Sequence, residues 1–497
     1  MSAPVAALLA AGPILAVVIG IACRLQSRTA ALIGLAVAAA VTALWFPTPP
    51  AALAAAAATW APTALAVMLI LAGGICFAEA GRAAGIQAAI SGWLQRTFGS
   101  GLAAVLAIVH GLTPLTESLT GYGVGAAIAI PLVLALGVDG RRAAVIGLCG
   151  LCTVPWGSMG PGTLIAAQLS GVPLGALGVA SAVFTFPVTI AAGVAAAWII
   201  ADRGGRLRAA TLGAASGALL AASILAANLL VGTPPAGAIG AILTLLVHAG
   251  VRAVAVGRGA GASRGAGVGR GAGVGRGDEG RDAPALIAAV VPYAIVLGGM
   301  LVATTAFRLA PGAPELLAAV LGSPAWWLGC AIAYIFLTAE VPRWEVVATA
   351  LRMWGRVAPP TALFMGLGVL MSTAGLSHAI AVGLASLGIG YLAVLPFLAA
   401  CSGFIAGSNT GANALAAASQ AEVARALALD VSLAMGAHNA AASASVMVAP
   451  ARIELAAQLA RVPGERNRVM ATMLATVGAS CVGIAALSFA LLALGVL

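Results

Sequence analysis

Stretches such as 4–23, 62–79, 209–231 and 469–496 are almost pure hydrocarbon, and each reaches the roughly 20 apolar residues that a helix needs to cross a bilayer. Over 497 residues, 62% are apolar and 8% charged, where a soluble domain carries about 25% charge. Such a chain can only be a polytopic, all-helical membrane protein, with no sizeable soluble domain left over. The first run is long and lacks both a basic lead-in and an A-x-A-like site, so it is expected to stay as a span and not to be cleaved as a signal.

The net charge of +10 comes from 24 basic residues, all arginine, most of them at the ends of apolar runs. That placement reports membrane topology and not affinity for nucleic acid. With RLQSR (24–28) in the cytoplasm, the N-terminus lies outside. Seven cysteines are scattered among apolar neighbours, with one close pair, Cys149 and Cys152, and read as small buried residues. His110, His248, His378 and His438 lack metal-ligand spacing, so neither metal nor cofactor is expected.

The chain contains a duplication. At one common offset ESLTGYG (117–123) falls on GSNTGAN (407–413), and AAQLSGVP (166–173) on AAQLARVP (456–463) without a gap. In the first copy the connector has Arg82 and Arg96 and the turn after the hairpin has Arg141 and Arg142, while the end of the broken helix has no arginine. In the second copy Arg461, Arg466 and Arg468 stand at the end of the broken helix, and Arg425 fits the pattern least. Reversed charge bias in two copies predicts an inverted-topology repeat, with half-sites that meet near the midplane. The expected layout is a first half, 1–252, with a hairpin at about 98–138 and a broken helix at 143–170. A second half, 285–497, has its hairpin at about 389–427 and its broken helix at 432–461. Between them, 253–284 is a Gly/Arg linker, disordered and cytoplasmic. The count is about 12 spans plus two re-entrant hairpins. It includes a loop at 47–61, a span at 314–339, an amphipathic segment bearing Arg343, Arg352 and Arg356, and a separate span at 358–376.

Polar, glycine-rich breaks at matching places in a repeat point to a transporter's binding site. Hairpin tips and half-helix ends leave backbone N–H groups free, hydroxyls add donors, and glycines let a ligand approach the backbone. The candidates for a small carboxylate are Ser118, Thr120, Gly121, Tyr122 and Gly123 in the first tip, and Ser408, Asn409, Thr410, Gly411 and Asn413 in the second. The competing reading is tight helix packing by small residues. Glu117 is an intramembrane acid and hence a candidate proton carrier or cation ligand. His438 is a second candidate for proton relay. Pro155, Gly157 and Gly160 mark the first helix break, and Asn439 and Pro450 the second. Arg452 can pair with a substrate carboxylate, or with Glu454 or lipid phosphate, the pairing favoured here. No G-x-S-x-G, H-E-x-x-H or G-x-x-x-x-G-K-[ST] signature favours an enzyme.

In LTESLTGYGVGAAIAIPLVLALG (115–137), TVPWGSMGPGTLIAAQL (153–169), GFIAGSNTGANAL (403–415) and VMVAPARIELAAQLARVPGERNRV (446–469) the chain resembles the L-lactate permease family of bacterial secondary transporters. The resemblance implies an inner-membrane carrier of lactate, glycolate and similar 2-hydroxymonocarboxylates, moved with a proton by an elevator-type mechanism. Glu117, Gly121 and Gly123 match the family's acid and Gly-aromatic-Gly pattern, with Tyr122 where phenylalanine is usual. Ser408, Asn409, Thr410 and Asn413 match the second polar signature, and Pro450 the last motif. Where the family commonly has Gly-Lys-Met before that proline, this chain has Ser445, Val446 and Met447, so a cation is missing. The partners expected are a small organic anion, a proton or else sodium, the bilayer and a second copy of the chain, but no nucleic acid. A sodium-coupled carrier, an anion channel and a membrane enzyme are the alternatives.

Overall fold

The computed structural model describes residues 2–99, 101–121, 123–264, 279–310 and 312–497. Among the described residues the protein is 87% helix, with no strand. By length and composition, 10 helices can cross a membrane, or up to 13 if each bent pair counts as one span. Leucines and isoleucines such as Leu8, Ile19, Leu69, Leu229 and Leu246 stay exposed on the outer helices, as a lipid-facing surface requires.

Several boundaries differ from the sequence reading. Most of the expected loop 47–61 is helix, because Pro50 takes the first turn, where its missing N–H costs nothing, and the alanines after it propagate the helix Pro50–Ala83. The arginine-bearing segment and the span after it form one helix, Arg343–Thr373, despite Pro359 and Pro360. The expected span 314–339 is instead Glu315–Leu321 and Pro324–Thr338, bent by 53°. Helices also run into the glycine-rich linker from both sides, as Thr233–Arg264 and Glu279–Leu309. Adding residues to an existing helix needs no new nucleus. Residues 265–278 lie outside the described residues, as does Tyr122.

At the centre are two hairpins and two broken helices. The first hairpin climbs through Leu102–Thr120, with a π-helical turn at Ile108–Leu112, and returns through Val124–Ala135. The most apolar window of Leu102–Thr120 is 83% buried, against 22% to 44% for the other long helices, so its irregular tip is shielded by protein. The first broken helix comprises Gly140–Cys149 and Pro161–Ser170. The second hairpin is Tyr391–Ala406 and Asn409–Ala426, and the second broken helix Val431–Ala444 and Pro450–Leu459. Both broken helices start on an aspartate cap: Asp139 accepts from Arg142 N at 3.1 Å, and Asp430 from Leu433 N at 2.8 Å.

The two sets pack crosswise. The turn after the first hairpin meets the end of the second broken helix, where Arg141 pairs with Glu465 at 3.5 Å and a Cβ on Gly140 would come within 2.5 Å of Ala460 O. The end of the second hairpin meets the end of the first broken helix, because Arg425, paired with Glu422, donates to the carbonyl of Ser170. Arg425, the outlier of the charge pattern, thus caps the carbonyl of Ser170 and also holds a carboxylate.

Candidate functional site

The tip of the first hairpin turns on Gly121 (φ 69°) and Gly123 (φ 82°), where a side chain would be strained. A Cβ on Gly121 would also lie 2.8 Å from Ser158 Cβ, and one on Gly123 would run into the Arg452 guanidinium. Glu117 folds back over this turn. Its carboxylate accepts from Gly123 N at 3.0 and 3.1 Å and from Gly125 N at 3.2 Å, and so caps the N-terminus of Val124–Ala135. In the first broken helix Ser158 (φ 46°), Met159 (φ 63°) and Gly160 (φ 79°) are left-handed in succession, a strained path of the kind found at functional sites. In the second tip, Gly407 (φ 64°) turns the chain and Ser408 Oγ accepts from Gly411 N at 3.1 Å.

These four pieces enclose one pocket. The first hairpin contributes Glu117 and Gly121, and the first break Val154, Gly157, Ser158, Pro161 and Gly162. The second hairpin contributes Ser408, Asn409 and Thr410, and the second break Val446 and Arg452. The free space is about 30 Å³, room for about two waters. Pro161 and Gly162 begin one helix, Asn409 and Thr410 another, and Arg452 lies in the first turn of a third. Three helix N-termini therefore open on the pocket, and Glu117 occupies a fourth. Fields from aligned peptide dipoles and unbonded N–H groups favour an anion there. Gly162 lets two of these ends touch: a Cβ on it would be 2.9 Å from Thr410 N and from Asn409 C.

Behind the pocket, Asn439 ties the second broken helix to the second hairpin, the first broken helix and the helix Leu174–Ile200. Its Oδ1 accepts from Asn409 Nδ2 at 3.0 Å and Asn413 Nδ2 at 2.9 Å, and its Nδ2 donates to Thr163 Oγ1 at 3.0 Å and Ser181 Oγ at 2.9 Å. Thr163 in turn donates to Pro155 O at 2.6 Å. Asn439 is inside the helix Val431–Ala444 and not at the break, which falls at Ser445–Ala449 before Pro450. Pro155 and Gly157 lie in the non-α segment Val154–Met159, and Gly160 follows it.

Other candidates face elsewhere. Thr120 Oγ1 donates to Thr116 O at 2.6 Å, and the buried Ser118 hydroxyl lies against Gly237, where a Cβ would come within 2.7 Å of it. Neither lines the pocket, since on a helix one face alone can do so, and it is taken by Glu117 and Gly121. Gly411 and Asn413 shape the second tip from behind. His438 is fully buried, and neither ring nitrogen has a hydrogen-bond partner among the described residues. It does not line the pocket.

Of the partners open to Arg452 in the sequence, Glu454 is not the one it meets among the described residues. Glu454 bonds Arg466 at 2.8 Å and Gln458 at 2.9 Å, whereas Arg452 turns inward, within electrostatic reach of Glu117. Residues two apart on a helix do not face each other, which excludes the Arg452–Glu454 pair. An arginine in the first turn of a helix opposes the dipole, and that cost was the available signal.

No curated protein matches the chain. Among protein families, the model described as L-lactate permease matches residues 344–493, a stretch that includes the second hairpin and the second broken helix. The long apolar helices make this a multi-pass membrane protein, and the match makes its residues 344–493 similar to the L-lactate permease family, the one its motifs resemble.

Proposed function

We propose that this protein is a proton-coupled secondary transporter of small monocarboxylates of the lactate and glycolate type, built as an inverted repeat and resident in a bacterial inner membrane. The observation that carries the reading is the convergence of three helix N-termini and Arg452 on one small pocket that Glu117 also lines. Crosswise packing, in which the end of each hairpin meets the broken helix of the other copy, supports the inverted repeat. In this reading the substrate carboxylate sits against Gly162, Asn409, Thr410 and Arg452. Arg452 supplies the cation that the family's lysine would bring at Val446, itself a lining residue. The narrow pocket favours anions of a few heavy atoms.

Coupling follows from charge. Glu117 and the substrate are two carboxylates competing for the same positive end of the site, so neutralising Glu117 with a proton strengthens substrate binding, and substrate binding strengthens proton binding by the same factor. Glu117 fits this task better than His438, because it faces the pocket.

The test is uptake and binding in proteoliposomes. Wild-type protein accumulates lactate or glycolate on an inward proton gradient with or without sodium, and its affinity falls about tenfold per pH unit above the titration of Glu117. Glu117→Gln keeps binding and exchange, loses accumulation and binds with little pH dependence. Accumulation by Glu117→Gln on a pH gradient would overturn the coupling role, and accumulation only on a sodium gradient would overturn proton symport.

A further inference from the structure

Away from the pocket, three polar side chains from three separate helices form a chain closed at both ends by carbonyls. His110 Nε2 lies 3.1 Å from Thr189 O, and His110 Nδ1 lies 2.7 Å from Ser216 Oγ. Ser216 Oγ lies 3.0 Å from His248 Nε2, and His248 Nδ1 lies 2.8 Å from Thr244 O. His110 is fully buried in the π-helical turn Ile108–Leu112, about two turns before Glu117 on the same helix, while His248 is half-buried. The ring of His110 fits because the helices Leu174–Ile200 and Arg206–Leu230 touch through Gly193 and Gly213; a Cβ on Gly193 would lie 2.5 Å from His110 Cε1.

The proton count of this chain is uneven. A carbonyl only accepts, so Nε2 of His110 and Nδ1 of His248 must each carry hydrogen. In two neutral rings the nitrogens facing Ser216 are then both acceptors, and a hydroxyl has one hydrogen to give. Four hydrogen bonds need four protons, and the neutral groups bring three. With one proton more, every bond is made: one ring is an imidazolium donating to Ser216 Oγ, and the hydroxyl donates to the other ring. Exchange of these roles moves the charge from one ring to the other without moving a heavy atom.

We propose that His110, Ser216 and His248 form a proton-binding site, separate from Glu117, that holds a single proton shared between the two imidazoles through the serine hydroxyl. The proton is loaded from the half-buried His248 side and delivered to His110 at the core. No other titratable group among the described residues acts on either ring: the one acting on His110 is His248 itself. Of the arginines on the neighbouring helices, Arg206 stacks on Trp198 at 5.4 Å, Arg208 is exposed, and Arg252 lies a turn beyond His248. The carbonyls of Thr189 and Thr244 are thus the groups that stabilise the charge. A π-helical turn at His110 is the kind of irregularity that accompanies functional residues.

The test is nitrogen NMR of the full-length chain in lipid nanodiscs with isotope-labelled histidine, signals being assigned by single His→Gln substitutions. Ring shifts separate imidazolium from either neutral tautomer. Between about pH 5 and 8 the His110 and His248 signals should move together in one step worth a single proton. Ser216→Ala, which removes the demand for the extra proton, should lower the midpoint by about one pH unit or more, tenfold in proton affinity, and uncouple the rings. His248→Gln offers an amide hydrogen to Ser216 and completes the chain without an added proton, so His110 should remain the neutral Nε2–H tautomer throughout. This variant keeps the hydrogen bonds of Ser216 and His110, so it reports even if Ser216→Ala does not fold. Two independently titrating rings, a midpoint unchanged in Ser216→Ala, or an imidazolium at His110 in His248→Gln would overturn the proposal.

Discussion

Replacing Asn439 by leucine tests whether the polar network behind the pocket holds the second hairpin and the two broken helices together. Leucine fills about the same volume, so no cavity complicates the result, but all four hydrogen bonds of the amide disappear. Part of the loss is cushioned: Thr163 keeps Pro155 O, and Asn413 keeps Asn409 O and Oδ1 at 3.0 Å each. What remains is a buried Asn409 amide without its acceptor and a Ser181 hydroxyl facing hydrocarbon. At about 1–3 kcal/mol for a buried polar group left unpaired, the expected cost is about 3 kcal/mol. Extrapolating the size dependence of Tm to a chain of this length gives a fall of about 3–6 °C. The measurement is thermal unfolding of purified protein in one detergent, with substrate binding measured alongside. Ser488→Ala is the control, since among the described residues that buried hydroxyl bonds only Ile484 O within its own helix, at 2.9 Å, and should cost about 1 kcal/mol or less. Binding should weaken in Asn439→Leu, because Asn409 then loses its support. Asn439→Leu as stable as wild type to within about 0.5 kcal/mol, with unchanged binding, would refute the reasoning.

Arg452→Gln should weaken binding of a monocarboxylate by about 2 kcal/mol or more, with Arg452→Lys restoring part of it; equal affinity for all three in an equilibrium binding assay would remove Arg452 from the site. Gly162→Ala should abolish binding while leaving membrane insertion intact, since its Cβ would press on the Asn409–Thr410 backbone, whereas Gly175→Ala, which faces open space, should have no effect. Ser408→Ala should cost about 1 kcal/mol through loss of the cap, and Ser118→Ala should leave binding within about 0.5 kcal/mol of wild type. Cysteines placed at Gly175 and Gly464 should react with impermeant reagents from outside and inside respectively; labelling from the same side would contradict the inverted repeat.

Much of this arrangement could be read from the residues. Glycine and proline marked both tips and both breaks, because few residues tolerate φ near +70° at Gly121 and Gly407 or supply a helix start without an N–H, as Pro161 and Pro450 do. The match of 117–123 with 407–413 singles out Ser408, Asn409 and Thr410, which line the pocket. Side-chain direction was harder. Ser118 and Thr120 flank the pocket residue Glu117 in sequence, yet the helix turns them to other faces, and Thr120 spends its hydroxyl on its own helix. In the sequence Asn439 reads as a break marker because its partners Thr163 and Ser181 lie more than 250 positions away, beyond any local pattern. His110, Ser216 and His248 escaped for the same reason, since their spacing has meaning only after three helices have packed.

The cap that Glu117 makes on its own hairpin has a consequence for how the protein is made. Every partner its carboxylate uses there, Gly123 N and Gly125 N, is synthesised within a few residues of it, whereas Arg452 emerges from the ribosome only near the end of the chain. An intramembrane acid waiting for a distant cation would have to stay in water, or would draw the hairpin back out of the bilayer. Local capping lets the first hairpin settle with its acid already satisfied, so that the rest of the pocket can be assembled around it in the order of translation.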